Sequence, residues 1–334
     1  MQGASKSERD GADSAAAGVS AHRVSYLTVG AEAAGQRLDN FLLKLAKGVP
    51  KSHIYRIVRS GEVRINKARA RAEQRLAAGD ELRLPPLRIA AREPPSAPAA
   101  MPPVLYEDEH LIAVDKPAGL AAHGGSGVSF GLIERVRAAR PHQPFLELVH
   151  RLDRETSGVL LLAKSRRALT GLHEQLRSGR VRKRYLALVK GEWAEPRRHV
   201  RAALRKFVNA GGERRVNVDP EGLPAHTVFE LRQRFRGYSL LEAELKTGRT
   251  HQIRVHLAHV GFPIVGDDKY GDFDLNKRLA KAEGGARLAR MFLHAASVRF
   301  AHPVSGAPLE VQAPLPRECA DFLRALGEAE ALRA

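Results

Sequence analysis

From residue 38 the apolar positions fall at Leu38, Phe41, Leu42 and Leu45, the i, i+3, i+4, i+7 spacing that lines one face of a helix. A second helical period follows, with Ile54, Ile57 and Val58 inward between Ser52, a capping hydroxyl, and Gly61, a helix-ending residue. Val63 and Ile65 then alternate as a strand, and a Gly79-Asp80 turn leads into Leu82 and Leu84. Residues 23–90 are therefore expected to form a small α/β module. Residues 1–22 are Ala, Ser, Gly and charge with no apolar period, the pattern of a disordered polar tail. Pro94, Pro95, Pro98, Pro102 and Pro103 among alanines make residues 91–103 a linker outside regular helix or sheet.

From residue 104 the pattern is mostly that of strands. Val104 to Tyr106 and Leu111 to Val114 flank a charged turn, as in a hairpin, and Leu160 to Ala163 is a buried strand. Tyr185 to Val189, Thr227 to Phe235 and Tyr238 to Leu245 also run in strand fashion. Helices are expected over Phe130 to Ala139, over Leu169 to Leu176 before Gly179, and over 251–260, with Ile253, Leu257 and Val260 inward and Gly261 as the stop. The fold class is α+β, a large and mostly antiparallel sheet with flanking helices over residues 104–325, then a C-terminal tail at 326–334.

Charge changes the picture more than composition does. The 334 residues carry a formal net charge of +18, which favours a polyanionic partner such as nucleic acid. Residues 23–92 alone hold 15 Lys and Arg against 6 Asp and Glu. Lys51, His53, Arg56 and Arg59 lie on or beside the second helix, away from its apolar side, and Arg64, Lys67, Arg69 and Arg71 follow. One helix with such a face could simply be solvated; the continuation favours an RNA-facing surface. No apolar run approaches the ~20 residues of a spanning helix, and no apolar h-region opens the chain, so a cytoplasmic protein is expected. Cys319 is the single cysteine, which excludes an internal disulfide and a cysteine metal cluster.

The densest polar segment is His150-Arg151-Leu152-Asp153-Arg154-Glu155-Thr156-Ser157-Gly158, just ahead of the apolar strand. A carboxylate, arginines, hydroxyls and glycine in a loop beside a buried strand suit an active site, and a surface turn with local ion pairs is the plainer alternative. The segment resembles the signature loop of the RluA-type pseudouridine synthases. Lys116-Pro117-Ala118-Gly119 resembles that family's first motif, Arg184-Tyr185 its tyrosine strand, and Thr247-Gly248-Arg249-Thr250-His251-Gln252-Ile253-Arg254-Val255-His256 its third. The resemblance extends from residue 104 to about 316. Residues 23–90 resemble the S4 RNA-binding domain, through Arg37-Leu38-Asp39, Ser52 to Gly61, Val63-Arg64-Ile65-Asn66 and the Gly79-Asp80 turn.

The resemblance implies a pseudouridine synthase catalytic fold behind an S4 domain, isomerising uridines in large-subunit ribosomal RNA before or during assembly. It implies Asp153 as nucleophile, Arg254 as its ion-pair partner, and Tyr185 as a residue stacking on the base and assisting proton transfer. It places Ile253 under the base, and Arg151, with His150 beside it, where an arginine can take the place of an extruded uridine. Lys51, His53, Arg56, Arg59 and Arg64 are the implied RNA contacts of the S4 domain. Nothing is oxidised and no group is imported, so no cofactor, no metal and no obligate protein partner are expected, and a monomer suffices.

Other readings find less support. His173-Glu174 lacks a second histidine four residues on, so the zincin pattern fails, and His251, His256 and His259 have no confirming ligand elsewhere. Gly125, Gly127 and Gly131 are spaced one residue too long for a dinucleotide fingerprint; a mobile loop over an RNA site is the better account of that stretch. An RNA methyltransferase would need a glycine-rich cofactor loop after a strand. A non-catalytic RNA-binding factor would have no need of Asp153, Tyr185 and Arg254 together.

Overall fold

The computed structural model describes residues 23–46, 49–87, 100–124, 130–209, 212–282 and 287–331. The expected tail at 1–22, most of the linker, the loop centre at 125–129 and residues 332–334 lie outside the described residues. The chain divides into two compact units, the first holding the described N-terminal residues with Pro141–Phe145, the second residues 98–140 and 146 onward.

In the first unit, strands β1 (Ser25–Thr28), β2 (Arg64–Ile65), β3 (Ala68–Arg69) and β4 (Glu81–Leu84) form a sheet in the order β1-β4-β2-β3. Helices α1 (Leu38–Leu45) and α2 (Lys51–Arg59) bury Leu38, Leu42, Ile54, Ile57 and Val58 against Leu82 and Leu84 in one core. The start of α2 corrects the sequence reading. Pro50, extended at φ −58° and ψ 141°, is the capping residue, and Ser52 sits exposed in the first turn with no capping bond. Proline's fixed φ and missing N–H suit a helix entrance.

The second unit is built on a 10-stranded sheet. Its main path runs β10 (Arg197–Arg201), β13 (His226–Phe235), β14 (Tyr238–Leu245), β9 (Arg182–Lys190), β15 (Leu293–Ala301), β8 (Ser157–Ala163), β6 (Leu111–Lys116), β5 (Val104–Glu107). β16 (Pro308–Gln312) adds to β15 and β7 (Glu147–Leu148) to β8. All the pairings are antiparallel except β8 with β15, where His294 faces Ser157 and Ala295 faces Gly158. Gly158 is required there: its φ is +108°, and a Cβ would meet the Ala295 carbonyl oxygen at 2.2 Å. β8 is buried along its whole length, as its unbroken apolar run predicts for a central strand.

The described helices of this unit are α3 (Leu132–Ala139), α4 (Arg166–Arg177), α5 (Gln252–His259), α6 (Phe273–Lys281) and α7 (Arg317–Ala331). α7 runs on through residues 326–331, expected from the sequence as tail, and it packs Cys319 and Phe322 against Phe235 and Phe292. The expected one-sided amphipathic helix at 251–260 is also corrected. Gln252, Ile253, Arg254, Val255, His256 and Leu257 are all buried, so α5 is enclosed around its circumference up to its last turn, where His259 is exposed.

An enclosed helix with polar residues requires a partner for each of them. The Gln252 amide donates to the His226 carbonyl (3.0 Å) and to Thr227 Oγ1 (2.9 Å). Thr227 Oγ1 in turn donates to His256 Nδ1 at 2.9 Å, and His256 Nε2–H then donates to the Ala202 carbonyl at 3.0 Å. This fixes one tautomer of a neutral core histidine, so the metal reading of the histidine cluster loses His256 to the core.

Candidate active site

The loop between β7 and β8 carries Asp153, and it is held at its C-terminal end and along one flank by independent means. At the C-terminal end Thr156 N–H donates to the Asp153 carbonyl (3.1 Å), closing a turn. Ser157 Oγ accepts from Arg290 Nη2 at 2.7 Å and donates to His294 Nδ1 at 2.9 Å; His294 Nε2–H donates to the Ala313 carbonyl. Gly158 fills the close approach to β15 described above. On the loop's flank, the Lys116 ammonium at the end of β6 donates to the carbonyls of Pro117 (2.8 Å), Leu120 (2.8 Å) and Arg154 (2.9 Å). Burial pulls Lys116 down to about 7, while only the protonated amine can donate to all three carbonyls at once.

Asp153 lies at a cavity of 540 Å³ whose walls include His150, Arg151, Lys183, Tyr185, Arg249, His251, Ile253 and Arg254. Arg254 reaches it from the first turn of α5, with Nη1 3.5 Å from Asp153 Oδ2. The exposed-arginine alternative is excluded, since Arg254 is 3% exposed. Its Nε and Nη2 form a fork on Asp267, at 2.7 and 2.6 Å, and Nη2 also touches Asp268 Oδ1 at 3.1 Å. Burial works against this charge; the Asp267 hydrogen bonds outweigh it and hold Arg254 above its ordinary pKa. Asp267, itself buried, is held below the usual carboxylate range by the same bonds and by the N–H groups of Lys269 and Tyr270. The guanidinium is therefore locked by Asp267, with Nη1 left to face Asp153.

Tyr185 projects from β9 and is 6% exposed; burial first, then the Asp153 charge, raises its phenol well above the ordinary value. Lys183 stands two residues before it, so the strand's alternation puts both on one face, and both line the cavity. Burial lowers the Lys183 ammonium. His251 sits in the left-handed region at φ 53°, a conformation costing on the order of 1 kcal/mol outside glycine. There its Nδ1 meets the Tyr270 hydroxyl at 2.8 Å, and its Nε2 lies 3.9 Å from Asp153 Oδ1. Tyr270 OH also accepts from Val216 N–H at 3.0 Å, so one hydroxyl ties the His251 ring beside Asp153 to the Val216 backbone.

The structure thus gathers Asp153, Tyr185, Arg254, Arg151, Ile253 and His150 around one cavity. Lys183 and Asp267 were not singled out from the sequence, while Lys116 and His251 were named there only as members of motifs and, for His251, as an unsupported metal ligand. The strand alternation through Tyr185 was a usable signal for Lys183; Asp267 had none, being 13 residues from Arg254 and joined to it only by the fold. His150 is half-buried and accepts the Leu161 N–H on Nε2, so its ring is committed to β8 on that side. In the first unit, Arg56 and Arg59 project opposite the buried Ile54, Ile57 and Val58, with Lys51 and His53 on the flanks of α2. Lys51, Arg56, Arg59 and Arg64 are exposed, and Arg56 makes two long contacts, with Glu62 at 3.6 Å and with His53 Nδ1 at 3.4 Å.

The buried histidines give a stability prediction. Burial pushes His150 to about 3 and His294 to about 4, against an ordinary 6.5. The unfolded chain binds these protons below pH 6.5 and the folded one does not, so stability falls as pH drops from about 6.5 toward 4. The two groups together give a slope of about 2.7 kcal/mol per pH unit near pH 5. In urea unfolding at several pH values, His294→Gln is expected to lower that slope by about one proton's share, ~1.4 kcal/mol per pH unit.

This fold and this site define a class. The family described as RNA pseudouridylate synthase matches residues 110–259, and the S4 domain matches residues 36–82. The chain belongs to the RNA pseudouridine synthase family. Among its relatives, ribosomal large subunit pseudouridine synthase C of Yersinia pestis is 51% identical over 310 residues, covering 91% of this chain and 96% of that protein. The protein of the same name from Escherichia coli is 50% identical, covering 87% and 93%. Of solved structures, human RNA pseudouridylate synthase domain containing 4 superposes with a TM-score of 0.55 at 25% identity, covering 67% of this chain and 92% of that one.

Proposed function

We propose that this protein converts uridines to pseudouridine in large-subunit ribosomal RNA, with Asp153 as the nucleophile. The observation that carries the assignment is the Asp153 carboxylate facing an arginine that Asp267 has already locked, at a cavity walled by Tyr185 and Ile253. The large-subunit substrate rests on the named relatives, which share about half of their residues with this chain over nearly its whole length.

In the reaction the N1–C1′ bond of a uridine breaks, the detached base turns, and a C5–C1′ bond forms. The proton on C5 is lost and N1 takes one up, so no electrons are exchanged and no group is imported. The Asp153 carboxylate serves whether it attacks C1′ or removes the C2′ proton, and Arg254 Nη1 faces it at 3.5 Å. Tyr185 and Ile253 enclose the base between an aromatic and an aliphatic surface. The high phenol pKa of Tyr185 keeps it protonated, fit to donate a hydrogen bond or relay a proton at C5. A uridine inside a stacked helix cannot reach this cavity, so the base is flipped out, and exposed Arg151 fills the gap it leaves. Unstacking costs a few kcal/mol, offset by phosphate contacts from the basic surface.

Large-subunit RNA transcribed with [5-³H]uridine tests this directly, because the reaction must release the C5 tritium into water. Stoichiometric release without added cofactor or metal is expected, with much less from small-subunit RNA or transfer RNA. Release only from transfer RNA would move the substrate; no release from any RNA would remove the activity.

The basic face of α2 is assigned to RNA backbone contact. Replacing Arg56 and Arg59 by alanine is expected to weaken RNA binding and to flatten log K against log salt by about 2. An unchanged salt slope in filter-binding titrations would take these residues out of the interface.

A further inference from the structure

A second cavity, of 420 Å³, adjoins the first and shares Arg151, Gly248, Arg249 and Thr250 with it. Its far wall is a hairpin that belongs to neither of the larger sheets, β11 (Leu204–Val208) with β12 (Arg214–Val218). The base of this hairpin is fixed in two ways. Leu204 and Leu223 exchange backbone hydrogen bonds at 2.9 Å, and Gly222 allows the approach because a Cβ there would lie 2.5 Å from the Leu204 carbonyl carbon. Leu204 and Val216 pack with Val255 of α5, and Val216 N–H donates to Tyr270 OH, the hydroxyl that also holds His251. The hairpin is therefore tied to the helix that carries Arg254.

We infer that this second cavity is a subsite for one unpaired nucleotide next to the target uridine, held by stacking on Leu223 and by phosphate contacts from Lys206 and Arg249. The volume lies within the ~300–1,000 Å³ typical of ligand pockets. Leu223 is 59% exposed, although its backbone is fixed and its neighbours Leu204 and Val216 are buried, so it offers an apolar side chain at the cavity for a base to pack on. Lys206 and Arg249 are exposed cations at the rim, as backbone contacts require. Arg205 is already engaged by Asp219 and Glu221, each at 3.3 Å, so the lining is not a bare anion trap; a base with one flanking phosphate suits it better than phosphate alone. The shared wall argues for a continuous strand: a nucleotide on Leu223 would be separated from the uridine beside Asp153 only by Arg151 and the 248–250 turn. The hairpin's link to α5 would then set the strand's register against Arg254.

This inference rests on the proposed uridine isomerisation, and the test separates the two. Leu223→Ser removes the stacking surface at an exposed position, and thermal melting checks that it folds. It is to be assayed by tritium release on large-subunit RNA, and on splint-ligated versions with an abasic nucleotide on the 5′ or the 3′ side of the first modified uridine. Base stacking predicts that Leu223→Ser raises KM roughly tenfold with kcat retained. One of the two abasic RNAs should do the same to the wild type, and the variant on that RNA should be no worse than either change alone. Unchanged KM for Leu223→Ser, or effects that multiply for both abasic RNAs, would overturn the subsite while leaving the activity standing. No release by the wild type from intact RNA would remove the activity, and the subsite with it.

Discussion

Asp153→Asn is expected to bind large-subunit RNA within a few-fold of the wild type and to lose single-turnover pseudouridine formation by on the order of 10⁴-fold or more. The substitution keeps the size of the side chain and leaves its surroundings in place, since the loop is held through Thr156, Ser157, Gly158 and Lys116 rather than through the Asp153 carboxylate. What it removes is the charge that faces Arg254 at 3.5 Å and the oxygen that would form the bond to sugar. Binding and rate measured on one preparation separate the two effects. Loss of both together would mean that Asp153 is a structural anchor of the loop, and retention of both would dismiss it as nucleophile.

The second large effect is expected from a residue that never touches the RNA. Asp267 is fully buried beneath Arg254, and Asp267→Asn leaves a buried guanidinium without its fork partner. Breaking a buried ion pair from one side costs about 3–5 kcal/mol, so urea unfolding should show a loss of that order. The freed guanidinium has Asp153 and Asp268 as its remaining carboxylates and is expected to turn toward them, misplacing the Asp153 carboxylate. The drop should therefore appear in kcat, by roughly 10²-fold, with KM little changed. A purely structural role for Asp267 would lower stability and leave kcat of the folded fraction intact.

How much of this could be read from the chain depended on whether the information was local. The loop His150 to Gly158 stands out because carboxylate, arginines, hydroxyls and glycine follow one another without a gap. The strands around it were legible from apolar runs, β8 being the clearest. Arg254 could be preferred over Arg249 only through the family resemblance, because both are arginines near the start of one helix. The structure separates them by burial, with Arg249 exposed and Arg254 at 3%. Its environment was misjudged for a related reason. Ile253, Leu257 and Val260 imply one apolar face, whereas Gln252, Arg254 and His256 are buried too, each with partners from other segments such as Thr227, Ala202 and Asp267. A polar residue satisfied from a distance looks in sequence like a polar residue facing water. Lys116 shows the same limit, since its three carbonyl partners include one 38 residues away. The entrance of α2 was missed on a smaller scale: a serine is the commoner cap, and Pro50 was passed over two residues before it.

The central claim is that this chain makes pseudouridine in large-subunit ribosomal RNA through Asp153. Unmodified large-subunit RNA incubated with the pure protein alone, followed by carbodiimide labelling and primer extension, tests it most directly. Stops at discrete uridines with the wild type and at none with Asp153→Asn are predicted. RNA bound equally by both proteins, with no new stop from either, would contradict the account.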